Sequence, residues 1–453
     1  MTGYRGGALW PALLAPAAQG RDELCAVAAD GVRVRFADGR ELLCGTSGLW
    51  NVNLGYGNPV VAEAIAAAAR DASYLGVFRY ENRYARQAAD ALIRRCGPAG
   101  GRVLFSTSGG AANDLVQKLA RHVQALRGRD RAKVVVGLRG SYHGLTFGGF
   151  ALTGEDLGQT LYGVDRRLVR HVTANDGADL AALLERSGPQ VAAVVVEPVL
   201  GSGTVPLTDE FVADLLHWRR QCGFLLVADE VATGFGRTGP FLASETWPEP
   251  PDLVILSKGL TNGTGAAAAV LVPGPIAAEF DRADALLTHA ETQAGTPITG
   301  AAVLATLSEF ERLDALDAGA RVAAQLGAAL DRWAADHERI VEVTGRGCFR
   351  SLRLVTPAGE PIPATDVPRL VAEIRRAGAI VHPGPQGIQL VPALTYGGQD
   401  LTDLLAAVHT GLTRYLEATD DGRGIGGGTA TGTGTGAAGR IAPARSRVGV
   451  GVG

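Results

Sequence analysis

Residues 225–239 read Leu225-Leu226-Val227-Ala228-Asp229-Glu230-Val231-Ala232-Thr233-Gly234-Phe235-Gly236-Arg237-Thr238-Gly239. The apolar run before Asp229 predicts a buried strand that ends at this carboxylate. A carboxylate buried at a strand end is costly unless it is paired. We therefore expect a cationic partner close to Asp229.

The glycines of this stretch have the spacing of a dinucleotide-binding loop. Such a loop needs its glycines directly between a strand and a helix, so that the pyrophosphate meets the helix N-terminus. Here residues 229–233 intervene, and Pro240 and the proline-rich residues 248–251 follow in place of an amphipathic helix. The sequence therefore does not favour a dinucleotide site.

Lys258 follows the next apolar run, Leu253–Leu256. In a doubly wound sheet the carboxyl ends of neighbouring strands open into one crevice, so Lys258 and Asp229 are expected to face the same space. A desolvated lysine in such a place can act as a Schiff-base nucleophile. The alternative is a purely structural ion pair between the two residues.

Short apolar runs alternate with helical stretches over the first two thirds of the chain. The runs are Val103–Phe105, Val134–Leu138, Val191–Val196, Leu225–Ala228, Leu253–Leu256 and Ala267–Leu271. Residues 111–126 and 211–222 have the spacing of amphipathic helices. This alternation predicts an α/β fold with a mostly parallel sheet covered by helices.

A different pattern follows from residue 298. Alanine- and leucine-rich helices to residue 335 precede short strands near Val341 and Leu352, and further helices are predicted over 367–377 and 401–416. This pattern indicates a separate α+β domain. We assign the chain to four parts: an N-terminal segment that joins the small domain (1–45), a large domain (46–297), a C-terminal small domain (298–418) and a Gly/Thr/Ala-rich tail predicted to be disordered (419–453).

Composition excludes several classes of function. The chain has 453 residues, 46% of them hydrophobic, and a formal net charge of −3, so it is neither disordered throughout nor suited to nucleic acid. No apolar run reaches the roughly 18 residues that span a bilayer. Residues 6–18 imitate a signal peptide, but Pro11 and Pro16 interrupt them.

The cysteines carry no metal-ligand spacing and no Cys-x-x-Cys pair. They are Cys25, Cys44, Cys96, Cys222 and Cys348. We interpret them as buried thiols in a reducing compartment, and we expect a cytoplasmic protein without a metal site.

Two further loops contain candidate binding residues. Ser108, Gly109 and Gly110 come between the run Val103–Phe105 and a predicted helix, where free backbone N–H groups suit a phosphate. Tyr142 and His143 follow the next strand and offer an aromatic face at the same sheet edge. Taken alone, the first loop is equally typical of a simple helix cap, and the two rings are equally typical of loop packing.

Taken in chain order, these motifs resemble the class III aminotransferases, which are fold-type I pyridoxal phosphate (PLP) enzymes. The resemblance rests on Ser108-Gly109, Tyr142-His143-Gly144, Glu197-Pro198, the stretch from Asp229 to Gly239, Lys258-Gly259 and the segment from His289 through Thr292 to Pro297. It covers about residues 20–418. It implies that the large domain binds PLP and contains a mostly parallel seven-stranded sheet.

The resemblance also implies a role for each matching residue. Lys258 is similar to the lysine that binds PLP and moves a proton in catalysis, and Asp229 to the partner of the pyridinium nitrogen. The other cofactor-binding positions are implied to be Ser108, Gly109, Gly110, Tyr142, His143, Glu197 and Thr292. Thr292 would come from the second subunit of a homodimer.

Departures from the family pattern bear on the substrate. Gly110 and Ala111 stand where the family usually has Ser or Thr and Glu, and Leu49 precedes Trp50 where diaminononanoate enzymes often have paired tryptophans. His382 stands where an arginine typically binds a substrate carboxylate, and a neutral histidine cannot replace that bidentate charge. We therefore expect Leu49, Trp50 and His382 to contact substrate. The alternative is that another arginine, Arg79, Arg346 or Arg350, serves instead.

These observations predict a transaminase that moves an amino group from a small-molecule amine donor to a carbonyl acceptor lacking the usual α-carboxylate. Secondary metabolism fits, including daptide-type pathways in which a modified peptide C-terminus is aminated. A 4-aminobutyrate, diamine or diaminononanoate-like aminotransferase is the first alternative. An aminomutase or racemase of the same fold, or a non-catalytic PLP-binding scaffold, is the second.

Overall fold

The computed structural model describes residues 8–98 and 100–420. Its centre is a seven-stranded sheet that follows the spatial order Arg102–Ser106, Ala268–Val272, Leu253–Leu256, Leu225–Asp229, Val191–Val196, Val134–Leu138 and Val169–Val172. Six strands are parallel, and Ala268–Val272 runs against its two neighbours. The prediction of a mostly parallel α/β sheet is confirmed.

All six apolar runs predicted as strands lie in this sheet. The seventh strand, Val169–Val172, was not predicted, because its apolar residues flank Arg170 and His171. As an edge strand it has one neighbour and leaves one side exposed, so it lacks the continuous apolar run of a central strand.

Helices cover both faces of the sheet. They are Gly109–Leu126, Phe147–Leu152, Gly177–Ser187, Asp209–Cys222 and Gly274–Ala283. Side-chain oxygens of Ser108, Asp176 and Thr208 accept hydrogen bonds from backbone N–H groups in the first turn of three of these helices. Gly223, at φ +69°, ends the helix Asp209–Cys222 in a conformation that favours glycine.

A second group of elements shares a hydrophobic core with one face of the strands Arg102–Ser106, Ala268–Val272 and Leu253–Leu256. Its helices are Pro59–Asp71, Arg83–Cys96, Pro297–Arg312, Ala315–Asp336, Val367–Ala377 and Gly398–Asp420. An antiparallel sheet contains the strands Ile340–Arg346, Phe349–Leu354, Gly387–Leu390 and His382–Gly384. The helical stretch predicted over 298–335 is thus two helices, separated at Leu313 and Asp314, where Asp314 has φ +44°.

Strands from the N-terminal part and one strand from the C-terminal part of the described chain form a third sheet. It contains Ala26–Asp30, Arg33–Phe36, Glu41–Cys44 and Ala379–Ile380, and its last two strands are parallel. A short hairpin pairs Val199–Leu200 with Val205–Pro206. Short 3-10 turns lie at Pro16–Ala18, Asp22–Leu24, Gly188–Gln190, Ala243–Thr246 and Lys258–Thr261.

Arg237 ties the glycine-rich stretch to the rest of the fold. Its guanidinium is completely buried and donates to the carbonyl of Pro392 and to Asn53 Oδ1. Burial lowers the pKa of Arg237 to about 10. The segment 234–239 therefore forms turns around a buried cation, and the α-helix required for a dinucleotide site is absent from these residues.

The cysteine expectation needs one correction. All five thiols are free, but Cys25 is exposed because it lies between a surface 3-10 turn and the exposed strand Ala26–Asp30. Cys44 and Cys348 are buried, and the other two are half-buried. Among the described residues, no helix combines the length and apolar character needed to cross a membrane.

The last helix extends two residues beyond the boundary expected at 418. Arg339, which is nearly buried, donates to the backbone carbonyl of Leu416, to Thr419 Oγ1 at 2.8 Å and to Asp420 Oδ1 at 2.6 Å. Thr419 and Asp420 thus belong to the packed structure. The rest of the predicted tail, 421–453, lies outside the described residues.

We predict that truncation after Ala418 lowers the melting temperature, whereas truncation after Asp420 does not. The shorter chain leaves Arg339 without two hydrogen-bond partners, which costs about 1–2 kcal/mol. In a protein of this size, with about 2 cal/mol/K of unfolding entropy per residue, that corresponds to a decrease of about 1 °C per kcal/mol, measurable by thermal unfolding. Equal melting temperatures for the two truncations would show that Arg339 gains nothing from these partners.

Candidate active site

Asp229 is the centre of a buried polar cluster at the carboxyl end of the large sheet. Its Oδ2 accepts hydrogen bonds from Asn113 Nδ2 at 2.8 Å and lies 2.8 Å from His143 Nδ1. Its Oδ1 accepts from the backbone N–H of Val231 at 3.1 Å. The cationic partner expected from the sequence is therefore His143, and a direct Asp229–Lys258 ion pair is not formed.

The contact with Asp229 favours the protonated form of His143. Burial disfavours the charged imidazole, yet the hydrogen bond and the negative charge of Asp229 outweigh burial and raise the pKa of His143 above its ordinary value. The other ring nitrogen, Nε2, is buried and has no hydrogen-bond partner in the described chain. His143 thus lies behind Asp229 and fixes the carboxylate in one orientation.

Asn113 was not identified from the sequence. It lies on the buried face of the helix Gly109–Leu126, which also contains Gln117 and Gln124, and its Nδ2 donates both to Asp229 and to the carbonyl of Gly109. Because a buried amide needs a polar partner, an asparagine on the buried face of a predicted helix was the sequence signal that could have identified this residue.

Lys258 opens the short turn that follows the strand Leu253–Leu256. Its backbone has φ +47°, and its amine lies 4.9 Å from the centre of the Trp50 ring. Burial lowers the pKa of Lys258, although the charges of Asp229 and Glu197 oppose this effect. A larger fraction of the amine is therefore neutral, and so nucleophilic, than for an exposed lysine.

Glu197 follows the strand Val191–Val196 in the same crevice. Its two oxygens accept hydrogen bonds from the backbone N–H groups of Tyr142 and Gly201, each at 3.1 Å. Burial raises the pKa of Glu197 to about 7, and the nearby Asp229 acts in the same direction. Near neutral pH this side chain is therefore protonated in a substantial fraction of molecules.

Tyr142 is 42% exposed.

Ser108, Gly109 and Gly110 form the N-terminus of the 18-residue helix Gly109–Leu126. Ser108 Oγ accepts from the N–H of Ala111 at 3.2 Å, which caps the helix and leaves the hydroxyl hydrogen free to donate. A Cβ at Gly144 would lie 2.5 Å from the Cα of Gly110, so the two loops approach too closely for a side chain at Gly144. The absence of a side chain at Gly110 leaves backbone N–H groups at this point.

Trp50 and His382 lie on the other side of Lys258. The Trp50 ring is 5.4 Å from the His382 ring and 4.9 Å from the Phe349 ring, measured between centroids. Burial and the charge of Lys258 lower the pKa of His382 to about 4, so its imidazole is neutral near pH 7. Leu49, by contrast, is 59% exposed.

The backbone at Trp50 is unusual. Ser47, Gly48, Leu49 and Trp50 all have φ between +47° and +68°, which makes this segment a left-handed helical turn. Ser47 Oγ donates to the carbonyl of Val391 at 2.6 Å and holds the turn against the strand-rich C-terminal part. This conformation costs roughly 1–2 kcal/mol for each non-glycine residue, so the surrounding contacts must impose it.

Thr292 lies apart from the cluster. It is exposed, and its backbone carbonyl accepts a hydrogen bond from the Tyr74 hydroxyl at 3.0 Å. Its neighbour Glu291 accepts hydrogen bonds from Ser106 and Thr107, at the end of the first strand of the large sheet. The structure therefore brings Lys258, Asp229, His143, Glu197, Tyr142, Trp50 and His382 together and leaves Thr292 at the surface of this chain.

These residues fit PLP. A lysine with a lowered pKa, a carboxylate whose orientation is fixed and the N-terminus of a long helix are the three features that suit an aldehyde, a pyridinium nitrogen and a phosphate. Gly109 adds to this fit, because a Cβ there would lie 3.1 Å from the methyl groups of Val231 and would narrow the space beside Asp229.

Comparison with known proteins agrees with this fit. The chain matches the class III aminotransferase family over residues 16–412. An omega-aminotransferase from Caulobacter vibrioides is 34% identical over 360 residues, which cover 74% of this chain and 81% of that protein. An acetylornithine aminotransferase from Mycobacterium tuberculosis is 34% identical over 411 residues, which cover 88% and 94% of the two chains.

A solved structure supports the same assignment. An amine transaminase from an uncultivated Pseudomonas species, in its PLP-bound form, superposes with a TM-score of 0.84 at 29% identity and covers 91% of this chain and 100% of that chain. A non-catalytic scaffold is therefore not supported. The chain belongs to the class III aminotransferases and is a PLP-dependent transaminase.

Proposed function

We propose that this transaminase takes an amine donor and a carbonyl acceptor that lack an α-carboxylate at the usual place. The observation that carries this proposal is His382, a neutral imidazole beside Lys258 and Trp50 at the position that resembles the family's carboxylate-binding arginine. A neutral ring can donate one hydrogen bond, whereas a carboxylate in a desolvated site is best paired by a fixed positive charge.

The alternative arginines differ in their contacts. Arg346 donates to the carbonyl of Leu207, whereas Arg350 is half-buried and its Nε has no hydrogen-bond partner in the described chain. Arg79 is exposed and lies over the Phe78 ring. Arg79 makes no hydrogen bond among the described residues, so it is the residue to test first against this proposal.

Each residue of the cluster then has a defined task. When bound, PLP supplies an electron-withdrawing ring that stabilises negative charge developing on the substrate carbon. Lys258 binds the cofactor through its amine and, when released, carries the proton on and off that carbon. Asp229, fixed by His143 and Asn113, holds a proton on the ring nitrogen. Tyr142 would be the residue that packs against the ring, as the family resemblance implies.

The phosphate would be bound by the helix N-terminus. The backbone N–H groups of Gly109 and Gly110 and the hydroxyl of Ser108 supply donors at the positive end of the helix dipole. Because the family's usual hydroxyl at position 110 is replaced by Gly110, the backbone supplies a larger share of these bonds in this chain. Glu197 lies behind Tyr142 and Asp229 and limits the negative charge of the site by taking up a proton near neutral pH.

We further propose a homodimer in which Thr292 completes the phosphate site of the partner. Around Thr292 the surface exposes large apolar side chains, including Tyr74, Val77, Phe78 and Tyr80. Apolar side chains exposed together in this way mark an interaction surface. We also propose that the protein is cytoplasmic and acts in secondary metabolism.

The relatives favour a second candidate function. One is named an acetylornithine aminotransferase and another, 28% identical, a diaminobutyrate–2-oxoglutarate transaminase. A diamine or 4-aminobutyrate type enzyme would need a carboxylate site, which Arg79 of a second subunit would have to provide. Under the first candidate function, the acceptor can be a carbonyl on a peptide, as in daptide-type pathways, and this substrate needs no carboxylate site.

We predict that borohydride reduction of the holoenzyme attaches the pyridoxyl group to Lys258 and that Lys258→Ala abolishes turnover. The lysine is both the covalent attachment point and the proton carrier, so no other group replaces it. Peptide mapping by mass spectrometry identifies the labelled residue. A label on Lys118 or Lys133 would refute the assignment.

We predict that Asp229→Asn retains cofactor but lowers kcat on the order of 100-fold or more. An amide has one acceptor oxygen where the carboxylate has two, so it keeps only part of these hydrogen bonds and cannot hold a proton on the ring nitrogen; lost preorganised electrostatic stabilisation has effects of this size. Asp252→Asn is the control, because Asp252 is a half-buried carboxylate that accepts a hydrogen bond from the N–H of Leu226 at the opposite end of the sheet. Comparable kcat values for the two variants would contradict the role of Asp229.

We predict that wild-type enzyme prefers simple amines and that His382→Arg lowers their turnover while raising that of carboxylated substrates. A fixed charge in this pocket is poorly solvated until a carboxylate pairs with it. His382→Gln, the neutral control, should keep the wild-type pH profile between pH 5.5 and 8, since His382 is protonated only near pH 4 and below.

The readout is the single-turnover loss of the absorbance of Lys258-bound cofactor with a panel of amines and amino acids. A strong wild-type preference for carboxylated substrates that disappears in Arg79→Ala would overturn the proposal and establish the second candidate.

A further inference from the structure

The loop that carries Thr292 is fastened to the large sheet by one carboxylate. Glu291 Oε1 accepts a hydrogen bond from Ser106 Oγ at 2.5 Å. Its Oε2 accepts from the backbone N–H of Thr107 at 3.0 Å and from the Thr107 hydroxyl. Glu291 therefore binds three donors at the point where the strand Arg102–Ser106 leads to the phosphate-binding helix.

A second set of contacts supports this carboxylate. His289 Nε2 lies 3.1 Å from Glu291 Oε1, and Lys118 Nζ lies 3.4 Å from the other ring nitrogen of His289. Burial works against ionisation, but the hydrogen bonds from Ser106, Thr107 and His289 outweigh it and keep the pKa of Glu291 below its ordinary value. The residue is thus ionised near neutral pH and its bonds are charge-assisted.

The two sides of this contact differ in rigidity. Ser106 belongs to a strand that is paired along its length with Ala268–Val272. Residues 284–296 form an irregular connection between the helices Gly274–Ala283 and Pro297–Arg312. Its other polar ties include the Tyr74 hydroxyl to Thr292 O and Asn82 Nδ2 to Gly295 O. If the carboxylate is removed, the loop is free to move and the strand is not.

We propose that Glu291 is a positioning residue for cofactor binding in the partner subunit: by clamping its loop to Ser106 and Thr107 it fixes Thr292 where the partner's phosphate site needs it. This inference rests on the proposed homodimer with a shared phosphate site. The clamp is attached one residue before Ser108 of its own chain, but that strand end is also held by its pairing with Ala268–Val272, so Ser108 keeps its place when Glu291 is removed.

The test uses mixed dimers with a single Lys258. One chain is wild type at Lys258 and the other carries Lys258→Ala, and two affinity tags allow the mixed dimer to be purified. In the first arrangement Glu291→Ala is placed on the Lys258→Ala chain, and in the second on the chain that keeps Lys258. The readout is the rate at which the absorbance of Lys258-bound PLP disappears after dilution into cofactor-free buffer.

We expect the first arrangement to lose PLP about tenfold faster than the unmodified mixed dimer, which is the effect of one lost charge-assisted bond to phosphate. The second arrangement should retain PLP like the unmodified dimer, because its Thr292 comes from an intact chain. Faster loss in the second arrangement, or an unchanged rate in the first, would overturn the proposal.

Two control substitutions separate this proposal from the one it rests on. Thr292→Ala on the Lys258→Ala chain should also accelerate the loss of PLP, and an unchanged rate would refute the shared phosphate site itself. If Thr292→Ala accelerates the loss and Glu291→Ala does not, only the role of Glu291 is refuted. Glu63→Ala, which removes an exposed carboxylate paired with Arg70, should change neither rate.

Glu291→Gln tests the mechanism and replaces Glu291→Ala if that variant fails to fold. The amide keeps the length of the side chain and one acceptor for the N–H of Thr107, so it should recover most of the PLP retention. If glutamine on the Lys258→Ala chain loses PLP as fast as alanine, hydrogen bonding to Ser106 and Thr107 does not position Thr292.

Discussion

The constraint on which this structure depends is the burial of a carboxylate at the end of a parallel sheet. Asp229 is stable there only because His143, Asn113 and the N–H of Val231 converge on it. These groups come from a loop, a helix and a turn that are distant in sequence. The loop at His143 in turn has to pass so close to the helix N-terminus that Gly144 and Gly110 touch. The compensation of one charge thereby determines how three elements pack.

The net charge of the site depends on the pKa values of its buried side chains as well as on their pairing. Burial lowers the pKa of Lys258, lowers that of His382 to about 4 and raises that of Glu197 to about 7. Arg237, a cation near Lys258, is held by its bonds to Pro392 and Asn53. Under the proposed function, substrate would meet an aromatic ring and a neutral imidazole.

Sequence patterns predicted the parts of the fold that follow from continuous burial. Every central strand appeared as an apolar run, and Asp229 and Lys258 were identifiable because each follows such a run. The edge strand Val169–Val172 was missed, since a strand with one exposed side can contain Arg and His. The role of His143 was also misjudged: adjacency to Tyr142 suggested a ring contact, but the pairing with Asp229 depends on how the loop closes over the sheet. Asn113 and Glu291 depend on tertiary contacts of the same kind.

The backbone conformation of the left-handed turn at residues 47–50 determines where the Trp50 side chain lies. Trp50 is presented by the backbone conformation, and Leu49 contributes an exposed side chain and conformational strain. Glycine at position 49 would relieve that strain, whereas a side chain at Gly48 would add to it, because φ there is +54° and a Cβ would lie 2.7 Å from the Tyr56 hydroxyl. A substitution at position 48 or 49 therefore acts on the indole through the backbone as well as through its own side chain.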